Sequence, residues 1–202
     1  MIRKEVLISG FGGQGVVKAG RILGYAAVLA GLRATMLVSH GTETRGGYVR
    51  SQVVISPEAI DSPVAEQPDV FCALSQAAYT RFRSLADKGL IIYDDGLVVP
   101  DLSRGGAHLA LPARELAIAR AGSELCANLV ALGAALRRLP LVPLECGLQS
   151  VREIFPRQGE ATARALDTGY RFIPADHPGS ADPGQRASGK GGRAIPPNRR
   201  SC

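Results

Sequence analysis

The sequence predicts an α/β fold: a three-layer α/β/α sandwich built on a mixed, mostly parallel sheet, Rossmann-like at its N-terminal βαβ unit. Three observations carry that reading. An apolar run, a glycine turn and a helix-spaced segment open the chain. One strand pattern then follows another with no helix between them. Beyond residue 68, short apolar runs alternate with helical patterns before the chain becomes wholly helical.

Taken in order, "VLIS" at residues 6–9 is a short apolar run closed by glycine, the mark of a buried strand. Over residues 16–32, Val16, Ala19, Ile22, Leu23, Ala26, Ala27 and Ala30 recur every three or four positions, which makes a helix, and Gly31 caps its end. "ATMLVS" at 34–39 is a second strand and completes a βαβ unit with a right-handed crossover. The polar, glycine-rich "HGTETRGG" follows, and "YVRSQVVIS" then alternates as a strand. A strand directly after a strand implies an antiparallel neighbour, so the sheet is mixed. "PDVFCAL" enters a helix over residues 76–87, "GLIIYD" at 89–94 is another buried strand, and "AHLALP" at 107–112 a further one. Helices are expected over 113–121, 124–139, 143–155 (with proline in its first turn) and 160–167.

The 202 residues, 46% hydrophobic and 21% charged, supply one sizeable core, so one domain is expected over residues 1–174. Residues 175–202 are glycine- and proline-rich and nearly free of apolar side chains, and are expected to be a disordered basic tail. From Asp176 onward, five basic residues face two acidic ones, so the tail carries half of the +6 net charge. It lacks the aromatic residues on which bases stack, and no nucleic-acid partner is expected. No apolar run is long enough to span a membrane or form a signal-peptide core, so a cytoplasmic protein with no membrane partner is expected. Cys72, Cys126, Cys146 and Cys202 are scattered without a C-x-x-C pair. They read as reduced structural thiols, and no metal site is expected.

The stretch "GFGGQG" places Gly10, Gly12 and Gly15 in the G-x-G-x-x-G spacing of dinucleotide sites. Such sites also place an acid at the end of the second strand, about 20 positions on, to hold the ribose. Here that strand ends in Ser39 and His40, and the nearest acid, Glu43, lies deeper in the loop. A nicotinamide or flavin cofactor therefore stays an alternative reading. The glycines either serve the strand-to-helix turn alone or leave bare N–H groups at a helix N-terminus for an anion or a partner's backbone. Gly12 and Gly13 together exceed the needs of a turn. The second loop repeats the pattern, with Gly41, Gly46 and Gly47 around Glu43 and Arg45. In an open α/β sheet both loops can line one rim at the strand ends, although Glu43 and Arg45 also read as a simple exposed ion pair.

The pairing of "GFGGQGVVKAGRIL" with "HGTETRGG" and "VVIS", followed by "SPVAEQPDVFCAL" and "CANLVALGAAL", resembles the gamma subunit of the 2-oxoacid:ferredoxin oxidoreductases over residues 5–172. The resemblance implies a subunit, inactive alone, of an enzyme that decarboxylates a 2-oxoacid, transfers the acyl group to coenzyme A and passes electrons to ferredoxin. Pyruvate, 2-oxoglutarate, ketoisovalerate and indolepyruvate versions are alike at this level. It further implies that thiamine diphosphate, magnesium and iron–sulfur clusters are carried by thiamine-binding and ferredoxin-like partners, while this chain binds none alone and helps to engage coenzyme A. "DDG" at 94–96 accordingly lacks the remainder of a thiamine motif. A purely structural assembly role is the other alternative. By position, the family's first glycine motif falls on Gly10, Gly12, Gly13, Gln14 and Gly15. Its second falls on His40, Gly41, Thr42, Glu43, Arg45, Gly46 and Gly47, and the asparagine of its later helix on Asn128. His40 replaces the family's tyrosine, and Thr42 its proline. His40 is read as a packing or hydrogen-bonding histidine, with proton carriage as the alternative.

Overall fold

The computed structural model describes residues 2–41, 47–103 and 105–172. The expected domain boundary at 174 and the tail lie outside them.

Strand β1 (Lys4–Phe11) enters helix α1 (Val16–Leu29) through the glycine turn, and β2 (Arg33–His40) follows. Helix α1 stops three residues short of its expected end because Gly31 and Leu32 donate back to the Val28 and Ala27 carbonyls, closing the last turn. Then come β3 (Tyr48–Ser56), β4 (Val70–Ala73), α2 (Gln76–Phe82) continued by a 3-10 turn (Arg83–Ala86), β5 (Leu90–Asp94) and β6 (Ala107–Leu111). The last stretch is helical: α3 (Ala113–Ala121), α4 (Ala127–Arg137), α5 (Leu144–Ile154) and α6 (Gly159–Arg171).

The six strands lie in the order β2-β3-β1-β4-β5-β6. All run parallel except β3, which is antiparallel to both β1 and β2. The sheet is thus mixed and mostly parallel, as expected, with one refinement. Strands β1 and β2 are parallel and joined by α1, yet β3 is inserted between them, so the opening βαβ unit spans a gap that a Rossmann unit does not have.

Alternation along the strands sorts their side chains into two cores. Val6, Ile8, Val53, Ile55, Cys72 and Ile92 pack under α1 and α3–α6. Leu7, Phe71, Ala73, Ile91 and Tyr93 pack against Tyr79, Phe82 and Ala86 of α2 and its 3-10 extension. Helices therefore cover both faces, five on one side and α2 on the other. On the thicker side, α6 rests on α4 with the two backbones in contact: a Cβ at Gly169 would collide with the Val130 carbonyl, and one at Gly133 with that of Leu166.

The single helix expected over 124–139 is corrected to two pieces, a 3-10 turn (Glu124–Cys126) and α4. Ser123 Oγ accepts from Leu125 N–H at 3.3 Å and starts the 3-10 turn. This break places Asn128 in the first turn of α4. Pro143 stands just before α5 in extended backbone (φ −60°, ψ 148°), and α6 outruns its expected limits at both ends.

Candidate functional site at the C-terminal ends of the strands

Gly10 is buried at the end of β1, where a Cβ would meet Leu74 Cβ at 2.9 Å and also strike Gln14 Oε1. The Gln14 amide explains that crowding. Phe11 N–H donates to Gln14 Oε1 at 2.6 Å, and Gln14 Nε2 donates to the Leu74 carbonyl at 2.7 Å, stitching the turn to the end of β4. Gly15 sits before α1 in left-handed backbone (φ 72°) and offers no side-chain cap. Asn128 Nδ2 donates to the Gly15 carbonyl at 3.2 Å, and a Cβ on Gly15 would collide with that same nitrogen. Gly12 and Gly13 differ from their neighbours: a Cβ built on either meets nothing within 4 Å. The glycine motif thus divides into builders (Gly10, Gln14 and Gly15) and an open pair.

The second loop leaves from the same end of the sheet. Phe11 pairs with Tyr48 and His40 with Val49, so the 11–15 turn and the 41–47 connection start side by side. Gly41 N–H donates to the Tyr48 carbonyl at 2.7 Å, and Gly47 directly precedes β3. Thr42, Glu43, Arg45 and Gly46 lie outside the described residues. His40 is exposed at the end of β2, so of the packing or hydrogen-bonding role expected of it the packing half is corrected.

Two cavities open beside the first turn. One, of about 320 Å³, is lined by Gly13, Gln14, Leu74, Asp94, Arg114 and Asn128, among others. The second, of about 370 Å³, takes in Gly13, Gly15, Lys18, Cys126, Phe155 and Gln158. Both share Gly13, Leu125 and Asn128. Asp94 is only 5% exposed and is fully engaged: its carboxylate accepts from Gly96 N–H and from Arg114 N–H, each at 3.0 Å, and so caps α3. This explains the "DDG" stretch without a cofactor. Charged side chains divide unequally: Asp94 and Glu124 against Arg114 in the first cavity, Lys18 alone in the second. The Lys18 ammonium lies 5.0 Å from the centre of the Phe155 ring. An anion therefore finds its attraction at the second cavity, beside the open glycines and the uncapped start of α1.

Burial pushes the Cys72 thiol up to about 12 and raises that of Cys126 as well, so neither is a thiolate near neutral pH. Cys72, Cys126 and Cys146 are all free, and among the described residues no three His, Cys, Asp or Glu side chains form a metal-holding group. Nor is any single helix among them long and apolar enough to cross a membrane. A dinucleotide is disfavoured by topology. The strand beside β1 on the β2 side runs the opposite way, so no parallel neighbour there brings an acid to the rim.

Of the residues singled out from sequence, the fold brings Gly10–Gly15 and Asn128 together and sets Gly41 and Gly47 at the same end of the sheet. Lys18, Asp94, Arg114 and Leu125 were not anticipated. Lys18 alone had a readable signal, as the one charged residue in the first turn of a helix that follows bare glycines.

Comparison with known proteins gives a consistent result. The family model described as pyruvate ferredoxin/flavodoxin oxidoreductase matches residues 5–172. The 2-oxoglutarate synthase subunit KorC of Methanothermobacter marburgensis is 37% identical over 181 residues, covering 85% of this chain and 97% of that protein. The crystal structure of a keto/oxoacid ferredoxin oxidoreductase gamma subunit from Geobacter sulfurreducens superposes with a TM-score of 0.74 at 30% identity, covering 84% of this chain and 95% of that one. The 2-oxoglutarate:ferredoxin oxidoreductase from Magnetococcus marinus, solved with 2-oxoglutarate, coenzyme A and succinyl-CoA bound, superposes with a TM-score of 0.71 at 27% identity, over 83% of this chain and 30% of that chain.

Proposed function

The chain belongs to the pyruvate ferredoxin/flavodoxin oxidoreductase family as a gamma-type subunit of a 2-oxoacid:ferredoxin oxidoreductase, and from that premise we propose that it forms the wall of the active site that engages coenzyme A. The assembled enzyme converts a 2-oxoacid, coenzyme A and two oxidised ferredoxins into acyl-CoA, carbon dioxide, a proton and two reduced ferredoxins. Thiamine diphosphate with its magnesium supplies the decarboxylation chemistry from a thiamine-binding partner, and iron–sulfur clusters on a ferredoxin-like partner take the electrons. This subunit supplies binding and positioning.

One observation carries the reading: Gly12 and Gly13 present bare backbone to open space at the uncapped N-terminus of α1, and Lys18 lines the same cavity as Gly13. Phosphate groups of coenzyme A meet their N–H donors and the ammonium there. Gln14, Gly10, Gly15 and Asn128 hold the turn in shape. Gly41 and Gly47 stand at the neighbouring strand ends, and from the sequence motif Thr42, Glu43, Arg45 and Gly46 are assigned to the same binding role, with Arg45 as a second cation for the phosphates.

Reconstitution tests the assignment. The isolated chain is expected to form no acyl-CoA from any 2-oxoacid, and adding it to the thiamine-binding and ferredoxin-like subunits is expected to restore turnover. Turnover by the chain alone, or by its partners without it, contradicts the proposal.

A further inference from the structure

Strand β2 is an edge of the sheet and pairs only with β3. Gly41 N–H donates to the Tyr48 carbonyl at 2.7 Å, and the β2–β3 register carries that rung on to Ser39 with Arg50, Leu37 with Gln52 and Thr35 with Val54. Antiparallel residues turn N–H and C=O alternately to one neighbour and the other, so the odd-numbered residues of β2 bond to β3. The far side of β3 agrees. Ser9 and Glu5 give their carbonyls to Leu74 and Asp69, which leaves Gly10 and Ile8 to face Val49 and Ser51. Ala34, Met36, Val38 and His40 therefore point their N–H and C=O groups off the sheet, and among the described residues no strand pairs with them.

Such an edge is a template for another strand, and folded chains blunt theirs with a proline, a bulge, a central charge or shortness. Strand β2 has none of these: it runs for eight residues in unbroken register, and its one Lys, Arg, Asp or Glu is Arg33 at the first position. The opposite edge, β6, has five residues. No residue of β2 is fully buried, and Leu37 and Val38 pack into neither core. The strand is also complementary to itself. Laid antiparallel against a second copy about a two-fold axis through Leu37, it pairs every outward residue at once, Met36 with Val38 and Ala34 with His40. Leu37 then meets the other copy's Leu37, Thr35 meets Ser39, and no like charges are opposed. Beside the edge, a groove of about 520 Å³ is lined by Val28, Ala34, Met36, Arg21 and Glu153, among others. With one cation and one carboxylate, it offers opposite charges to its twin.

We propose that β2 is the contact between two copies of this chain, which join edge to edge, antiparallel and centred on Leu37, so that one sheet runs through both. The pairing satisfies the outward backbone groups and covers Leu37 and Val38, which the chain itself leaves half-exposed. A strand from a different subunit would need the open edge but not the self-matching register.

Sedimentation equilibrium of the full chain tests the proposal, and a dimer is expected. Val38→Pro removes an outward N–H and leaves the ladder to β3 whole. It deletes two symmetry-related hydrogen bonds and is expected to raise the dimer dissociation constant about a hundredfold. Leu37→Lys sets two ammonium groups against each other across the axis, and is expected to separate the copies even if the proline variant fails to fold. Oxidative cross-linking reads the register. Leu37→Cys is expected to give a disulfide-linked dimer above the background of the unaltered chain, because the paired Cα atoms stand about 4.5 Å apart. Thr35→Cys, about 14 Å from its counterpart, is expected to give none. The Leu37→Cys link is expected again in the complex reconstituted with the other subunits. A wild-type chain that stays monomeric well above micromolar concentration overturns the proposal, as does a dimer indifferent to both Val38→Pro and Leu37→Lys, or one that cross-links as readily through Thr35→Cys. A monomer whose folded Val38→Pro variant no longer joins the other subunits overturns it as well, and gives the edge to a partner's strand.

Discussion

At the residue scale, the glycine motif holds two kinds of position that look identical in the sequence. Gly15 is needed for its left-handed backbone and because Asn128 fills the space a side chain would take. Gly12 has ample room and no such conformation. Gly15→Ala is expected to cost about 2 kcal/mol in denaturant unfolding, whereas Gly12→Ala stays within about 0.5 kcal/mol. Equal costs would mean that the turn is not anchored as described. The glycines were legible because backbone freedom leaves a mark in composition. The partner of Gly15 was not legible from spacing, since Asn128 stands 113 residues away and reaches it only through the packing of α4. Asp94 and Arg114 were hidden for the same reason, lying on opposite sides of β6 in sequence and joined by a cap in space.

At the element scale, strands and helices announced themselves through period-2 and period-3.6 patterns, but adjacency did not. Alternation tells which side chains share a face and says nothing of which strand lies next door. The insertion of β3 between β1 and β2 therefore came only from the structure, though the direct β2-to-β3 connection had already required an antiparallel pair. The break before α4 escaped notice because apolar residues continue through it, and the Ser123 cap is a local contact that periodicity does not register. The α4–α6 crossing is the least forgiving packing. Gly169 abuts the Val130 carbonyl, which is backbone and unable to swing away. Gly169→Ala is expected to lower stability by about 3 kcal/mol, read as a drop in melting temperature of the isolated chain. An unchanged melt would mean that the two helices are not in backbone contact.

At the scale of the whole molecule, five helices stand on one face of the sheet, and both cavities open beside the glycine turn on that side. The fold gathers Gly10, Gly12, Gly13, Gly15, Asn128, Gly41 and Gly47 at one end of the sheet. The central claim is that the open glycines face outward to receive an anion brought with coenzyme A. Gly12→Asp tests it most directly, because the side chain has room and adds a negative charge at the mouth of α1. In the reconstituted complex, a rise of about tenfold or more in the KM for coenzyme A, with the melting temperature unchanged, is predicted. A KM equal to that of the unaltered complex would contradict it.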